Sequence, residues 1–448
     1  MSLPVRFSLS RGDALCTLGL LLSLTPAGPG ASGVLRTHAV GRERTATRYR
    51  SATRITALDR GGAVVPDVLV TAMAFGTGGI VYAGGYTLAR NPNDFESGSP
   101  TIPHSPVILV SRNHGATWAR YSWGATFTAL SIAVDPRNPL VAYAAGCYYG
   151  NTDCGGAYTA PSRSKPIVLK TTTGGVTWQS ALHYAVLQRR NGLPVRIDTN
   201  IRRTKAFVDA IGFGKVYPAA TPGTVANVAY ATAVAVDPTR PARVYACLWD
   251  AGVIRSDDGG ESWTYAAQSG RFATAELLIT PGNPRIVYAL SHGGLLERSD
   301  NGSASWQVVH TFPKPTAASI INGLTLVGST LYVTRDMGIS ASANHGVTWR
   351  AVTQGPQAGS FETSVHGRGT WISAFAPAQG AIHFGLYVSS DLQHWSLGAD
   401  LRSRGLKHAG GALDGQVYSY GLTRLWLDPY TQIIYTASQF TGLYRWQS

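Results

Sequence analysis

One octapeptide pattern recurs along this chain: Ser or Thr, any residue, Asp or Asn, any residue, Gly, two further residues, then Trp. Ser111, Asn113, Gly115 and Trp118 fit it, as do Ser256, Asp258, Gly260 and Trp263, and again Ser342, Asn344, Gly346 and Trp349. Looser copies run from Thr171 to Trp178, with Thr173 at the acidic position, and from Ser299 to Trp306, with Ser303 in place of Gly. Ser389 to Trp395 is one residue short. A pattern repeated in this way marks an architecture in which each copy is one supersecondary unit stacked on the next. Its chemistry is that of a turn. The Asp or Asn side chain accepts hydrogen bonds from nearby backbone N–H groups, Gly permits a positive φ, and Trp packs down between neighbouring sheets.

A second element lies upstream of the octapeptide. Ala133-Val134-Asp135-Pro136, Ala235-Val236-Asp237-Pro238 and Ile279-Thr280-Pro281-Gly282 each open a Pro-containing stretch that ends in Tyr-Ala, and Leu427-Asp428-Pro429 opens a looser copy. Asp-Pro or Pro-Gly builds a tight turn between two apolar strands. One unit therefore reads strand, Pro turn, strand, loop, strand, octapeptide turn, strand, which is a four-stranded antiparallel propeller blade. Units end at Trp118, Trp178, Trp263, Trp306, Trp349 and Trp395, and a further one from about Gln416 to Trp446 has strand signals without the octapeptide. The expected fold class is all-β: a single β-propeller of four-stranded antiparallel blades, seven by this tally, with six and eight still open. The last blade is expected to close with a strand borrowed from the N-terminal side, for which the alternating stretch Thr45–Thr56 is the candidate.

These residues resemble the Asp-box, or bacterial neuraminidase repeat, superfamily, which includes sialidases, xyloglucan-degrading hydrolases, sortilin-type receptors and a photosystem II assembly factor. The resemblance covers about residues 65 to 447. It implies the propeller but transfers no activity, because the box occurs in enzymes and non-enzymes alike.

The N-terminal stretch has the three-part layout of an export signal: Arg6 and Arg11, an apolar run from Ala14 to Leu24, then small residues from Thr25 to Gly33. That run is too short to span a bilayer permanently, and the charge of Asp13 close before Cys16 argues against lipid anchoring. The domain reading is an export signal over 1–31, an N-terminal segment over 32–64 that closes the last blade, and the propeller over 65–447 with a long insertion at about 180–227. The expected location is secreted or periplasmic, with no integral membrane segment after signal removal and a monomeric state. In an oxidising compartment Cys147 and Cys154 are expected to pair, and Cys247 reads as a buried free thiol.

The formal net charge is +14, with basic residues spread along the chain rather than in runs. Nucleic acid is therefore not expected. Attraction to an acidic polymer and a low-pH habitat both fit. No metal-binding His pair, phosphate-binding Gly loop or nucleophile elbow is present, so neither a metal nor a cofactor is expected.

In such a blade the Pro turns and Asp boxes share one face, which leaves the opposite, loop face for a site. The insertions Tyr86–Pro106, Gly146–Pro166, Ser180–Asn227 and Phe375–Gly385 fall there. Trp249, Tyr148 and Tyr149 are candidate ligand-stacking residues, and Arg202 and Arg203 belong to a basic, aromatic-edged stretch suited to an anionic or sugar ligand. Sialidase activity is not expected: Arg196-Ile197-Asp198 and Arg285-Ile286-Val287 lack the Pro of the family's Arg-Ile-Pro signature. A glycosidase acting on neutral glycans needs two facing carboxylates. Once the acids of Pro turns and boxes are set aside, Asp250, Glu276, Asp336 and Glu362 are the candidates. Known xyloglucan hydrolases of the superfamily hold substrate between two propellers, whereas this chain has room for one. The functional expectation is binding of a glycan or envelope component without necessary cleavage. A glycoside hydrolase is the alternative, and a protein-binding assembly or adhesion scaffold the second.

Overall fold

The computed structural model describes residues 59–65, 68–87, 106–121, 127–148, 158–159, 166–187, 196–202, 224–225, 231–248, 252–265, 274–291, 294–313, 321–335, 338–353, 359–377, 385–400, 422–438 and 442–447. They form seven antiparallel blades in a ring. Asp59–Val65 is β1. Blade 1 comprises β2 (Val68–Phe75), β3 (Val81–Thr87), β4 (Pro106–Ser111) and β5 (Ala119–Tyr121). Blade 2 comprises β6 (Phe127–Val134), β7 (Ala142–Tyr148), β9 (Pro166–Thr171) and β10 (Gln179–Leu187), with β8 (Tyr158–Thr159) inside its loop. A fifth strand, β11 (Arg196–Thr199), extends blade 2 at its outer edge, and β12 (Thr224–Val225) follows.

Blade 3 is β13 (Ala231–Val236), β14 (Val244–Leu248), β15 (Gly252–Ser256) and β16 (Thr264–Tyr265), and blade 4 is β17 (Thr274–Ile279), β18 (Val287–Ser291), β19 (Leu295–Ser299) and β20 (Gln307–Thr311). Blade 5 is β21 (Ile321–Val327), β22 (Thr330–Arg335), β23 (Gly338–Ser342) and β24 (Arg350–Thr353). Blade 6 is β25 (Gly359–Gly367), β26 (Thr370–Pro377), β27 (Gly385–Ser389) and β28 (Ser396–Asp400). Blade 7 is β29 (Leu422–Leu427), β30 (Ile434–Ser438) and β31 (Gly442–Gln447), completed by β1, which pairs antiparallel with β31. The closing strand is thus Asp59–Val65, further along the chain than Thr45–Thr56, which lies outside the described residues.

First strands of successive blades lie side by side around the axis, β2 by β6, β6 by β13, β13 by β17, and so on to β29. Covered on both faces, they read as near-continuous apolar runs: every residue of β6 and of β13 is buried. Fourth strands are short and exposed, as in β20. The core lies between blades. Tyr245 and Cys247 of blade 3 pack with Leu277, Val287 and Trp306 of blade 4, and Cys247 is a buried free thiol.

Each box sits between third and fourth strands and closes the turn in the same way. Ser111, Ser256 and Ser342 Oγ accept the N–H of Gly115, Gly260 and Gly346 at 2.8, 2.8 and 2.9 Å. The Asn113, Asp258 and Asn344 side chains accept the N–H of Thr117, Ser262 and Thr348 at 2.9, 3.0 and 2.9 Å. The looser copies hold because other groups do the same work. Thr173 Oγ1 accepts the Thr177 N–H at 2.9 Å, and Ser303 takes φ 70° in the Gly position while its hydroxyl receives the Trp306 indole N–H at 3.1 Å.

An aromatic at the second or third residue of every second strand forms the other half of the blade-to-blade fastening: Tyr82, Tyr143, Tyr245, Tyr288, Tyr332, Trp371 and Tyr435. Tyr143, Tyr288 and Tyr435 donate to the box carbonyls of Gly259, His345 and His114 in the next blade at 3.1, 3.4 and 2.5 Å, and Tyr82 donates to Pro139 O in blade 2 at 2.7 Å. Burial raises the Tyr82, Tyr143 and Tyr435 phenols well above the ordinary tyrosine range, and Tyr245 to about 12.

Candidate functional site

Strand direction separates two ends of the ring. Pro turns and boxes occupy one end, the box face. The loops between second and third strands, and the connections between blades, occupy the other.

At the loop-face end of the channel wall every first strand carries a register shift near its start: between Val70 and Ala72, Ala129 and Ser131, Ala231 and Ala233, Thr274 and Glu276, Ile321 and Gly323, Phe361 and Thr363, and Leu422 and Arg424. A bulge leaves backbone groups without ladder partners. Polar side chains at this level reach across to the next blade and supply them. Thr71 Oγ1 donates to Ala129 O at 2.6 Å, Ser131 Oγ accepts the Val234 N–H at 3.2 Å, and the Glu276 carboxylate accepts the Leu324 N–H. Thr71, Ser131 and Glu276 are 1%, 3% and 2% exposed. Between blades 1 and 2, 2 and 3, and 4 and 5 these polar groups thus form a structural seam.

Glu276 starts an innermost strand, as its sequence context suggests, but its carboxylate is buried and committed to the neighbouring blade's bulge. Glu362 is the residue skipped in the β25 register, between Phe361 and Thr363, and so stands one pleat position away from the site equivalent to Glu276. Trp249 and Asp250 fall between the paired Leu248 and Gly252, and Asp336 between the paired Arg335 and Gly338. All three lie outside the described residues, as do Tyr149, Arg203, Cys154 and residues 1–31, where the sequence suggests an export signal. Tyr148 and Cys147 end β7, paired with Phe127 and Thr128.

The insertions in and after blade 2 are joined. β8, from the loop between β7 and β9, pairs with β12, from the long insertion: Thr224 opposite Thr159 and Val225 opposite Tyr158. β12 also lies against β10. Earlier in the same insertion, β11 runs back along β10, with Leu187 opposite Arg196 and Tyr184 opposite Thr199. β10 leaves a box, so β11 returns to the box face, and Ile201 bridges Trp263 of blade 3. The Arg202 N–H donates to Trp263 O at 2.8 Å, and Asn200 Nδ2 donates to Ala181 O at 2.9 Å. Arg202 is exposed there, on the outer rim of the box face, away from the loop face where its sequence context suggested a ligand wall. Trp263 is fully buried beneath this segment, whereas Trp118, Trp178, Trp349 and Trp395 remain partly exposed. The strand was hidden in the sequence because a four-residue β segment inside a polar insertion carries almost no periodicity.

Among the described residues no group of His, Cys, Asp and Glu is arranged to hold a metal ion, and no helix is long and apolar enough to cross a membrane.

No protein-family model matches the sequence, and no curated protein matches it. Solved structures do resemble the fold. YCF48 bound to D1 peptide superposes with a TM-score of 0.51 at 12% identity, over 88% of this chain and 99% of that one. The GH74 xyloglucanase from Xanthomonas campestris gives 0.51 at 14%, over 87% of this chain and 53% of the other. An ancestral GH74 enzyme gives 0.50 at 14%, over 87% and 46%. The chain thus spans one YCF48-sized propeller and about half of a GH74 enzyme. At these identities the likeness is one of fold alone, a seven-bladed β-propeller.

Proposed function

We propose that this is an exported Asp-box propeller that binds a glycan or another cell-envelope component on its loop face, centred on blades 2 and 3, without cleaving it. The reading rests chiefly on the β8–β12 pairing, which ties the long insertion after blade 2 to the loop between β7 and β9. Binding residues concentrate on loops held by a rigid scaffold, and Tyr148, Tyr149 and Trp249 all belong to the loop-face segments of these two blades. The buried, bonded state of Glu276 weighs against catalysis by removing one of the candidate carboxylates.

The fold shared with xyloglucanases keeps hydrolysis as the second reading, with Asp250, Asp336 and Glu362 as the remaining acids. A protein partner is the third, in view of the fold shared with a propeller solved with a peptide.

The test is a binding screen of the exported chain on soluble and insoluble glycans, with reducing-end release followed in parallel. Binding without release is expected, weakened at least about 10-fold in a Tyr149→Ala, Trp249→Ala double variant whose melting temperature is unchanged, roughly the loss of one good aromatic contact. Release abolished by Asp250→Asn, Asp336→Asn or Glu362→Gln would establish the hydrolase instead. Failure to bind any glycan would move the site to a protein partner. Recovery of the chain in the cytoplasmic fraction would remove the export premise.

A further inference from the structure

Exposed arginines on the box face follow one another from blade to blade through bonded contacts. Arg368 of blade 6 donates to Thr431 O of blade 7 at 3.5 Å, and Asp428 of that same turn holds the His114 imidazole of blade 1 at 3.0 Å. Arg112, beside it in the blade 1 box, donates to Gly174 O of blade 2 at 3.4 Å. The Gly174 N–H is bonded to Leu140 O, in the turn that carries Arg137, and Arg137 donates to Thr239 O of blade 3, next to Arg240. From blade 3, Arg255 donates to Gly302 O of blade 4 at 2.6 Å, and the Gly302 N–H is bonded to Arg285 O at 2.8 Å. The contacts run over six of the seven blades, of which five carry an exposed arginine in the arc and blade 7 contributes Thr431 and Asp428. Arg112, Arg137, Arg285 and Arg368 are exposed, and the Arg240 side chain is 55% exposed.

The Pro-turn carboxylates along the same arc are bonded within their turns, whereas Asp258 and Glu261 of the blade 3 box and Asp300 of the blade 4 box are exposed. Asp237 and Asp428 are 1% and 0% exposed, and each accepts a turn N–H at 2.8 Å, from Thr239 and from Tyr430. Asp135 accepts the Arg137 and Asn138 N–H groups at 2.8 and 3.2 Å. Asp257 is gripped by Arg243 at 2.7 Å and Arg255 at 2.9 Å. The Pro-turn acids are thus held by their own turns while the guanidinium groups remain at the surface, which biases this face toward positive potential.

We infer that the box face is a second interaction surface, one that takes a linear acidic polysaccharide laid along the arginine arc. The cations are strung out rather than gathered into a pocket, so the matching ligand carries negative groups at repeated intervals. A guanidinium has five N–H donors in a planar fork that suits carboxylates, so one committed to a neighbouring carbonyl retains others for a ligand. Single-stranded nucleic acid is disfavoured because it needs stacking platforms, and Tyr430, at 37%, is the most exposed Phe, Tyr or Trp among the residues whose side-chain exposure is described. This surface is distinct from the loop face and stands whether or not the loop face binds a glycan.

The experiment measures binding of the full chain to polygalacturonate across a salt series, with dextran, duplex DNA and poly-glutamate as comparisons. Expected is affinity for polygalacturonate that falls with salt and exceeds that for the other three. An Arg112→Gln, Arg137→Gln, Arg285→Gln triple variant is expected to bind at least about 10-fold more weakly with a shallower salt slope. Arg350→Gln, on blade 5, which the arc does not cross, is expected to bind like the parent. Should the triple variant melt early, Arg112→Gln and Arg285→Gln singly carry the test, each weakening binding about two- to three-fold by partial loss of the same field. Parent-like binding by the arc variants, or no binding to polygalacturonate, would overturn the proposal. DNA or poly-glutamate bound as tightly, and lost in the same variants, would reassign the arc to that polymer.

Discussion

At Asp258 the box turn is tuned by opposing electrostatic effects. Burial alone would raise its carboxyl, but hydrogen bonds from the Ser262 hydroxyl and N–H, and from Ser256, outweigh it and hold the group down at about 2. A folded-state value below the unfolded carboxylate range of about 3.9 stabilises the fold above that range, and the contribution disappears as pH falls through about 2. Asn113 and Asn344 do the same capping without a charge, their amides donating to the Thr117 and Thr348 hydroxyls at 2.9 and 2.8 Å. Asp258→Asn is therefore expected to leave stability at neutral pH nearly unchanged, since the Ser262 hydroxyl can turn from donor to acceptor, and to flatten the loss of stability between about pH 4 and 2. Urea titrations across that range check it; a parent-like acid limb would mean that Asp258 is not what the limb reports. The box residues were legible in the sequence because the turn needs those side-chain types at those spacings. The part played by Glu276 was not, since its partner is a backbone N–H exposed by a bulge in another blade.

Among the elements, β11 departs furthest from the repeat. Trp118, Trp178, Trp349 and Trp395 stay partly exposed, but Ile201 and Asn200 seal Trp263, whose indole N–H donates to Ala181 O at 2.9 Å across the gap from blade 2. The strand is a stitch between two outer edges, and it also covers an edge that would otherwise be open to pairing with another chain. Ile201→Ala is expected to cost about 2–5 kcal/mol and to shift the Trp263 contribution to fluorescence toward that of a hydrated indole. Parent-like emission together with parent-like stability would show that the stitch does not hold Trp263. The strands of each blade could be placed from turn chemistry and apolar alternation. The seven bulges could not, because a register shift is set by the facing strand and by the blade beyond it.

For the whole molecule, the decisive contact is the antiparallel pairing of β1 with β31, from Asp59 opposite Gln447 to Val65 opposite Leu443. It makes one blade from both ends of the described chain. His114 and Tyr435 reinforce the same seam by joining the blade 1 box to blade 7. Starting the chain at Pro66 leaves the β31 edge unpaired over the buried Tyr444 and Trp446. Relative to a chain that begins at residue 32, that variant is expected to melt at least roughly 5 °C lower and to associate through the open edge. An unchanged melting temperature in a monomeric sample would mean that β1 is dispensable for closure.

Repetition made the class of fold and the makeup of each blade readable from the sequence alone: box and Pro turn are local chemistry, decided by residues within a few positions of one another. Tertiary structure alone decided which N-terminal stretch closes the ring, that Glu276 serves a neighbouring blade, that Arg202 lies on the opposite face from the loops, and that arginines line up across blades. Each of these depends on what residues distant in sequence bring within hydrogen-bonding reach.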